Sequence, residues 1–462
     1  MRVRINQLPP AVWFTSSNAL PSLLQLLLLP ILSRWLGPQE FGLLTLAQAC
    51  IFLFQVLTGS PLSAYLTRYW QKETSTSGIL TTTLVYSLIL FLFCCLILVL
   101  LNLFGVFPLQ GLSFQTLLIV LVIAGLTSAE TQYLTGLVQE KRPKAYFYRI
   151  AFHATLAFAG SLVAIFLLEP NHKSVLAGRA LGMTAIILPL ALSSALKGKF
   201  KPHLLNSIFK FTLPILPYTL LTQALLFSDR WGPGILLNPA QAGYLGLAIA
   251  FISLNEMVFQ AIRNQVQPDI YEAWNTHNEG LFKSAASLYF RYGFLIYLLS
   301  FFPITGLVWL ILPDNFQPVV PLLPWIQAAF WFRCLFILKS LPEFYSPQRL
   351  TLTYAALFAL LVSLVISFGL IPILGVAGGG MAFWGARWIL YFWVDKQTRH
   401  RSELYTFQIP VFSWFPFVCF LATGVLLTWN SISPAIAWAV SGIGILSGLI
   451  WLSGYSIREK PE

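Results

Sequence analysis

Polar side chains recur at helical spacing within otherwise apolar stretches of this sequence. In and just after residues 241–266, Glu256, Gln260, Arg263, Asn264 and Gln267 follow one another at intervals that place them on one face of an α-helix. An arginine and several amides on one face can bind an anionic, strongly hydrated ligand. They can equally belong to a structural ion pair, in which the carboxylate neutralises an arginine.

A second polar face is predicted in residues 114–139. It consists of Thr127, Glu130, Thr131, Thr135 and Gln139. Polar residues within apolar segments are costly unless they face a bundle interior or a hydrated cavity. Two such faces, one in each half of the chain, therefore predict a hydrated central cavity.

Arginines outnumber carboxylates at these depths, so we predict that the cavity is cationic. The candidate substrate-binding residues are Arg263, Arg333, Arg387, Arg68, Arg34, Arg179, Arg230, Gln260 and Gln267. The candidates for binding a coupling ion are Glu130, Glu256 and Asp229.

Other roles stay open for several of these residues. Arg34 and Arg230 lie near predicted helix ends, from which arginines can extend to lipid headgroups. The alternative role of Arg68 is to set the membrane topology without contacting the substrate. Glu130 or Glu256 can neutralise one of the deeper arginines, which would make that pair structural.

Several other chemistries are disfavoured by the motifs. No glycine-rich loop ends in the Gly-Lys-Ser/Thr pattern that holds nucleotide phosphates, so no nucleotide cofactor is expected. The five histidines are scattered without zinc-ligand spacing, and the five cysteines lie in apolar runs, so no metal is expected. No polar loop is long enough to carry acid–base residues, which predicts that the protein is not an enzyme.

The composition indicates the elements that must position these residues. Of the 462 residues, 57% are hydrophobic and 10% are charged, with a mean hydropathy of +0.75. Soluble proteins carry about 25% charged residues, so the sequence indicates a polytopic membrane protein. The net charge of +12 does not predict nucleic-acid binding, because cytoplasmic loops of membrane proteins collect basic residues.

Turn signals divide the chain into about fourteen apolar segments, each near the length of a transmembrane helix. The predicted segments are 11–36, 42–69, 79–105, 114–139, 147–168, 174–196, 207–231, 241–266, 283–312, 317–341, 350–373, 375–396, 410–429 and 433–456. The fold class is therefore predicted to be all-α. With alternate loops assigned to one side, nearly all basic residues fall on that side, which predicts that both termini are cytoplasmic.

The second half of the sequence resembles the first. The first segment ends RWLGP at residues 34–38, and the seventh ends RWGP at residues 230–233. Similar turns join the fifth segment to the sixth and the eleventh to the twelfth. The pattern predicts an N-terminal six-helix lobe in residues 1–203, a C-terminal six-helix lobe in 204–402, and two additional helices in 403–462. Chance recurrence of Gly/Pro turns is the alternative.

These motifs resemble those of a known family. The run LPILSRWLGPQEFG at residues 29–42, the SDR at 228–230 followed by AGY at 242–244, and PILGVAGGG at 372–380 are similar to segments of bacterial polysaccharide transporters. These are the O-antigen and capsule oligosaccharide flippases of the multidrug/oligosaccharidyl-lipid/polysaccharide exporter superfamily. The departure is at residues 231–234, where WGPG replaces a longer helix end.

The resemblance implies translocation of an undecaprenyl-diphosphate-linked oligosaccharide across the inner membrane by alternating access of two lobes. The implied partners are this glycan lipid, membrane lipid and other membrane proteins of polysaccharide assembly. A lipid II or teichoic-acid precursor flippase and an ion-coupled multidrug extruder are the alternatives. Carboxylates would be expected to outnumber arginines in the cavity of a multidrug extruder, whereas arginines outnumber carboxylates in the apolar segments of this sequence.

Overall fold

The chain is helical throughout the part that the structure describes. A computed structural model describes residues 10–70, 76–105, 111–345, 350–399, 407–429 and 433–458, and these contain helices but no strand. The α-helices are α1 Pro10–Leu57, α2 Leu62–Tyr69, α3 Thr76–Leu103, α4 Phe114–Gln139, α5 Pro143–Leu167, α6 His172–Lys197, α7 Leu204–Thr212, α8 Leu216–Leu236, α9 Pro239–Ile252, α10 Leu254–Asn275, α11 Glu279–Ile311, α12 Leu323–Tyr345, α13 Leu350–Leu374, α14 Val376–Arg399, α15 Trp414–Trp429 and α16 Pro434–Arg458. The predicted all-α polytopic class is confirmed.

The first helix is two helices joined at a glycine. Its 48 residues would extend about 70 Å, more than twice the hydrocarbon thickness of a bilayer. At Gly37 the backbone leaves the helical region, with φ 69° and ψ 173°. A positive φ is readily adopted only by glycine, so this residue separates the first predicted segment from the second.

Eleven helical stretches of the described chain are long and apolar enough to cross a membrane, or twelve when the bent pair α7–α8 is included. This count treats α1 as one span and omits α14. If α1 is counted as two spans and α14 is added, the total is the predicted fourteen. The glycines at 378–380 and Arg387 lower the hydropathy of α14.

Several predicted segments are interrupted helices. The second segment breaks at residues 58–61 before α2, and the seventh bends by 51° between α7 and α8. The eighth breaks at Ser253 between α9 and α10, and the tenth begins as the 3-10 helix Asp314–Leu322. Such breaks release backbone polar groups, which membrane proteins tolerate only where neighbouring groups satisfy them.

Two antiparallel helix pairs pack backbone against backbone. In the pair α5–α6, a Cβ added to Gly178 would overlap the carbonyl of Gly160, and one added to Gly182 would overlap that of Leu156. In the pair α13–α14, a Cβ on Gly378 would overlap the backbone at Leu370. Small residues allow this close approach, which gives dispersion contacts where lipid provides no hydrophobic driving force.

The chain divides into two compact units, Met1–Phe227 and Ser228–Glu462. In the N-terminal unit, one core cluster surrounds α2 and includes Tyr65, Leu66 and Ile208. In the C-terminal unit, aromatic rings of α11, α12 and α15 form the core; the Tyr297 and Trp331 rings stack at 5.0 Å. The division into 1–203, 204–402 and 403–462 stays a prediction, as does the central cavity.

Candidate functional site

The polar face of the eighth predicted segment lies on α10. Phe259, Val266 and Ile270 on this helix are buried, and α10 packs against α11. Gln260, Arg263 and Gln267 are half-buried beside them. The Gln267 amide donates a hydrogen bond of 2.9 Å to the hydroxyl of Tyr271. The predicted polar face is therefore present as a half-buried strip that adjoins the buried face of α10, while Val258, Gln265 and Asp269 on the opposite side of the helix are exposed.

Arg263 has no counter-ion among the described residues. Its Nε is buried without a hydrogen-bond partner there, and no carboxylate of the described chain lies within 4 Å of its guanidinium. The nearby electrostatic partners are the hydroxyls of Tyr271 and Tyr289. A guanidinium placed in this way can donate to an anionic ligand with its whole charge available.

Arg333 is neutralised by Glu256. The guanidinium of Arg333 on α12 forms an ion pair with the carboxylate of Glu256 on α10. The two side chains are 36% and 28% exposed. Glu256 therefore neutralises Arg333 rather than Arg263. The sequence had left both pairings open.

Arg387 forms a deeply buried ion pair with Asp229. Its Nη2 donates to Oδ2 of Asp229 at 2.5 Å, and the side chains are 4% and 1% exposed. The guanidinium also lies 3.6 Å from the centroid of the Phe383 ring. These contacts indicate a structural role, which no sequence motif reveals because the partners are 158 positions apart.

In the N-terminal unit, Glu130 lies beside a histidine. Its Oε1 is 2.7 Å from Nδ1 of His153, and the side chains are 8% and 17% exposed. Arg179 donates to the amide oxygen of Gln48 at 2.7 Å. The sequence interpretation considered the histidines as candidate metal ligands and missed the pairing of Glu130 with His153. Its place within an apolar segment was the available signal.

The remaining candidates differ in exposure. Arg34 and Arg68 are exposed, and the Arg68 guanidinium lies 5.7 Å from the centroid of the Phe211 ring. Arg230 is half-buried next to Asp229, which contributes to its electrostatic environment. The structure therefore pairs Arg333 and Arg387 with carboxylates and Arg179 with an amide oxygen, and it leaves Arg34 and Arg68 exposed.

A second buried ion pair was missed by the sequence interpretation. Nζ of Lys339 on α12 lies 2.6 Å from Oδ1 of Asp395 on α14, and the side chains are 7% and 4% exposed. The pair lines a cavity of about 500 Å³ together with Tyr391, Gln408 and Trp414. Each residue stood near a predicted cytoplasmic helix end, where basic residues are common, so neither was singled out.

Comparisons with known proteins agree with this architecture. The sequence pattern of the family described as "Polysaccharide biosynthesis protein" matches residues 10–267. A search of curated proteins gives no significant match. The structure is similar to that of the lipid II flippase MurJ in an inward closed conformation, with a TM-score of 0.65 and 14% identity over 97% of this chain and 98% of the other.

It is also similar to two conformations of a multidrug resistance MATE family transporter of the MOP superfamily. The outward-facing conformation gives a TM-score of 0.58 and 12% identity over 85% of this chain and 94% of the other. The inward-facing conformation gives a TM-score of 0.55 and 12% identity over 86% of this chain and 96% of the other. At these identities the likeness shows the fold alone. The family match, which spans more than half of the sequence, shows that this multi-pass membrane chain belongs to the polysaccharide biosynthesis protein family.

Proposed function

We propose that the chain is a flippase for an undecaprenyl-diphosphate-linked oligosaccharide. It moves this lipid from the cytoplasmic to the outer leaflet of the inner membrane by alternating access, with both termini cytoplasmic. The family match supports a role in polysaccharide biosynthesis, and the fold is shared with a lipid II flippase. Other polysaccharide-assembly membrane proteins are its proposed partners.

The observation that carries this proposal is the uncompensated charge of Arg263. An uncompensated charge in a low-dielectric site is costly, so a site that retains one favours an oppositely charged ligand. A diphosphate supplies that charge, and the arginine fork can donate two parallel hydrogen bonds to phosphate oxygens. Gln260 and Gln267 on the same strip supply further donors for a hydrated head.

The state of the carboxylates disfavours a transporter of small organic cations. Such a transporter needs a free carboxylate for its substrate. The three candidates, Glu130, Glu256 and Asp229, each have a basic side chain within ion-pairing distance. Arg263, by contrast, has no carboxylate partner among the described residues.

A lipid II or teichoic-acid precursor flippase is the runner-up, because these substrates share the polyprenyl diphosphate head. They differ in the group that the diphosphate carries, for which the strip on α10 provides no distinguishing contact. Growth of cells depleted of their own lipid II flippase, with this chain expressed, separates the two substrates.

Transport is proposed to draw on the membrane potential rather than on a bound nucleotide. Moving one charge through 100 mV is worth about 2.3 kcal/mol. A net anionic head would therefore leave a negative cytoplasm downhill. Glu130 with His153 is the proposed coupling-ion site, since Glu256 is occupied by Arg333.

The test measures surface glycan in cells whose own copy is deleted and replaced by variants. Arg263→Ala should abolish export at an unchanged protein level, and Arg263→Lys should restore part of it, because the charge returns without the fork. Arg142→Ala is the matched control, since Arg142 is 61% exposed and pairs with Glu140.

Two outcomes would contradict the proposal. Normal surface glycan with Arg263→Ala at matched protein level would show that this arginine is not needed. Recovery of export in the double variant Arg263→Ala/Glu256→Gln would show that the defect came from charge imbalance with Glu256 rather than from lost substrate binding.

A further inference from the structure

An apolar groove of about 250 Å³ lies in the N-terminal unit where two helices are broken. Its walls are the end of α1, the start of α2, one face of α3, and the bend between α7 and α8. Its lining includes Leu62, Leu90, Phe93, Cys94, Thr212 and Leu213. We call this cavity the tail groove.

The rim of the tail groove is apolar and exposed, as expected of a surface that faces membrane hydrocarbon. Phe93 on α3 and Leu213 at the bend after α7 both line the groove and are 59% and 51% exposed. α3 is among the most apolar of the described helices, and most of its exposed residues are large and aliphatic or aromatic. An apolar groove that is open to the membrane favours a hydrocarbon chain as its occupant, because contact between water and apolar walls is unfavourable.

Two cations lie close to the tail groove on the helices that line it. Leu62 lines the groove at the start of α2, and Arg68 lies six residues further along, about 9 Å at 1.5 Å per residue. Arg68 is exposed and packs on the Phe211 ring of α7. Lys210, also exposed, lies in the last turn of α7 beside the groove. Among the described residues, no carboxylate pairs with Arg68 or Lys210.

The two short helices are fixed to each other. The Tyr65 hydroxyl on α2 donates to the Ser207 hydroxyl on α7 at 3.2 Å, and the Tyr65 and Phe211 rings meet edge to face at 5.6 Å. The cations and the groove therefore keep a fixed spacing. A lipid with one phosphate head and one chain matches it, whereas a phospholipid would place only one of its two chains.

We propose that the tail groove binds the polyprenyl chain of the substrate, with its phosphate held by Arg68 and Lys210 at a step before the head binds Arg263. This inference rests on the proposed function and adds to it the site of the lipid tail. The polar residues 71–75 that follow α2 in the sequence are predicted to be cytoplasmic. The site would therefore receive the lipid from the cytoplasmic leaflet, while the glycan stays in water.

The experiment uses the full chain in nanodiscs of phosphatidylethanolamine and phosphatidylglycerol. The probe is undecaprenyl phosphate with a photoreactive diazirine in its second isoprene unit, and adducts are mapped by mass spectrometry. A phosphatidylglycerol with a diazirine in one acyl chain is the comparison probe. We expect the polyprenyl probe to label the walls of the tail groove and the comparison probe to label lipid-exposed surface generally.

Variants of α3 provide a matched pair. Cys94→Trp fills the groove, whereas Leu92→Trp places the same ring on an exposed position of the same helix outside it. Cys94→Trp should reduce polyprenyl labelling by about tenfold, equivalent to about 1.4 kcal/mol of binding free energy. Leu92→Trp should leave it unchanged, and Arg68→Ala should reduce it without affecting the comparison probe.

Equal labelling of the groove by both probes, or equal loss with both tryptophan variants, would overturn the proposal. If Cys94→Trp does not fold, competition on the unmodified chain replaces it: excess undecaprenyl phosphate should abolish labelling, and excess phosphatidylglycerol should not. Glycan-lipid transport measured in parallel separates the two claims. Specific labelling without transport contradicts the flippase alone, whereas transport without specific labelling contradicts the groove alone.

Discussion

The buried pair of Asp229 and Arg387 gives the sharpest quantitative prediction. The side chains are 1% and 4% exposed, and the charged atoms are 2.5 Å apart. Removing one partner of such a pair leaves a buried charge and costs about 3–5 kcal/mol. Arg230 and Arg333 also lie near Asp229, so its loss removes a favourable electrostatic interaction from more than one cation.

The perturbation consists of Asp229→Asn, Arg387→Gln and the double variant. Each kilocalorie shifts the melting temperature of a unit of 150–250 residues by about 2–4 °C, so each single variant should melt about 6–20 °C lower. The double variant replaces the ion pair by two neutral amides and should recover most of this loss. The readout is thermal aggregation of the detergent-purified chain, followed by size-exclusion chromatography.

Glu279→Gln serves as the control, because its ion pair with Lys283 is on the surface. The two side chains are 55% and 71% exposed, and such a pair contributes about 0.3–0.5 kcal/mol. If the double variant melts no higher than the less stable of the two single variants, the energetic coupling between Asp229 and Arg387 is refuted. Export provides a second readout: recovered export in the double variant assigns Arg387 a structural role, whereas lost export with recovered stability assigns it to substrate.

Further predictions concern packing, energetics and topology. Gly178→Ala should destabilise the chain by about 1–3 kcal/mol through overlap with the Gly160 carbonyl; Gly369→Ala, with nothing within 4 Å of the new methyl, should not, and equal melting temperatures would contradict this packing. Glu256→Gln should destabilise the chain less than Asp229→Asn in the same melting assay, because its pair with Arg333 is partly exposed. An inside-negative potential, imposed with valinomycin on proteoliposomes, should accelerate export of an anionic glycan lipid, and an unchanged rate would favour electroneutral exchange. Reporter fusions should indicate the outside after Asn171 and Asn315 and the inside after Lys144 and Lys201; an inversion between neighbouring fusions would contradict the span assignment.

The sequence predicts the helices of this protein well because lipid imposes strong rules on apolar runs. The fourth predicted segment, 114–139, coincides with α4, and the others each correspond to one helix or to an interrupted pair. The interruptions are harder to predict. The Gly-Pro turn at residues 37–38 was predicted to separate the first two segments, and the structure has a break at Gly37, whereas the break at Ser253 lies inside the eighth predicted segment and follows no such turn signal.

Side-chain pairing in the candidate site was the less predictable part. Periodicity placed Gln260, Arg263 and Gln267 on one face, and the structure has them on one strip. It could not choose among Arg263, Arg333 and Arg387 as partners of Glu256, because that choice depends on how α10 and α12 are placed. Lys339 and Asp395, which are 56 positions apart, are brought together by the same kind of tertiary packing.

The most direct test of the proposed function is flipping by the purified chain. Proteoliposomes would contain an undecaprenyl-diphosphate oligosaccharide, and a membrane-impermeant glycosidase would report the fraction in the outer leaflet over time. Rapid and nearly complete cleavage is expected with the unmodified chain and with Arg142→Ala. With Arg263→Ala, cleavage should stop near half, as in protein-free vesicles. Cleavage that stops near half with the unmodified chain, or that goes to completion with Arg263→Ala, would contradict the account.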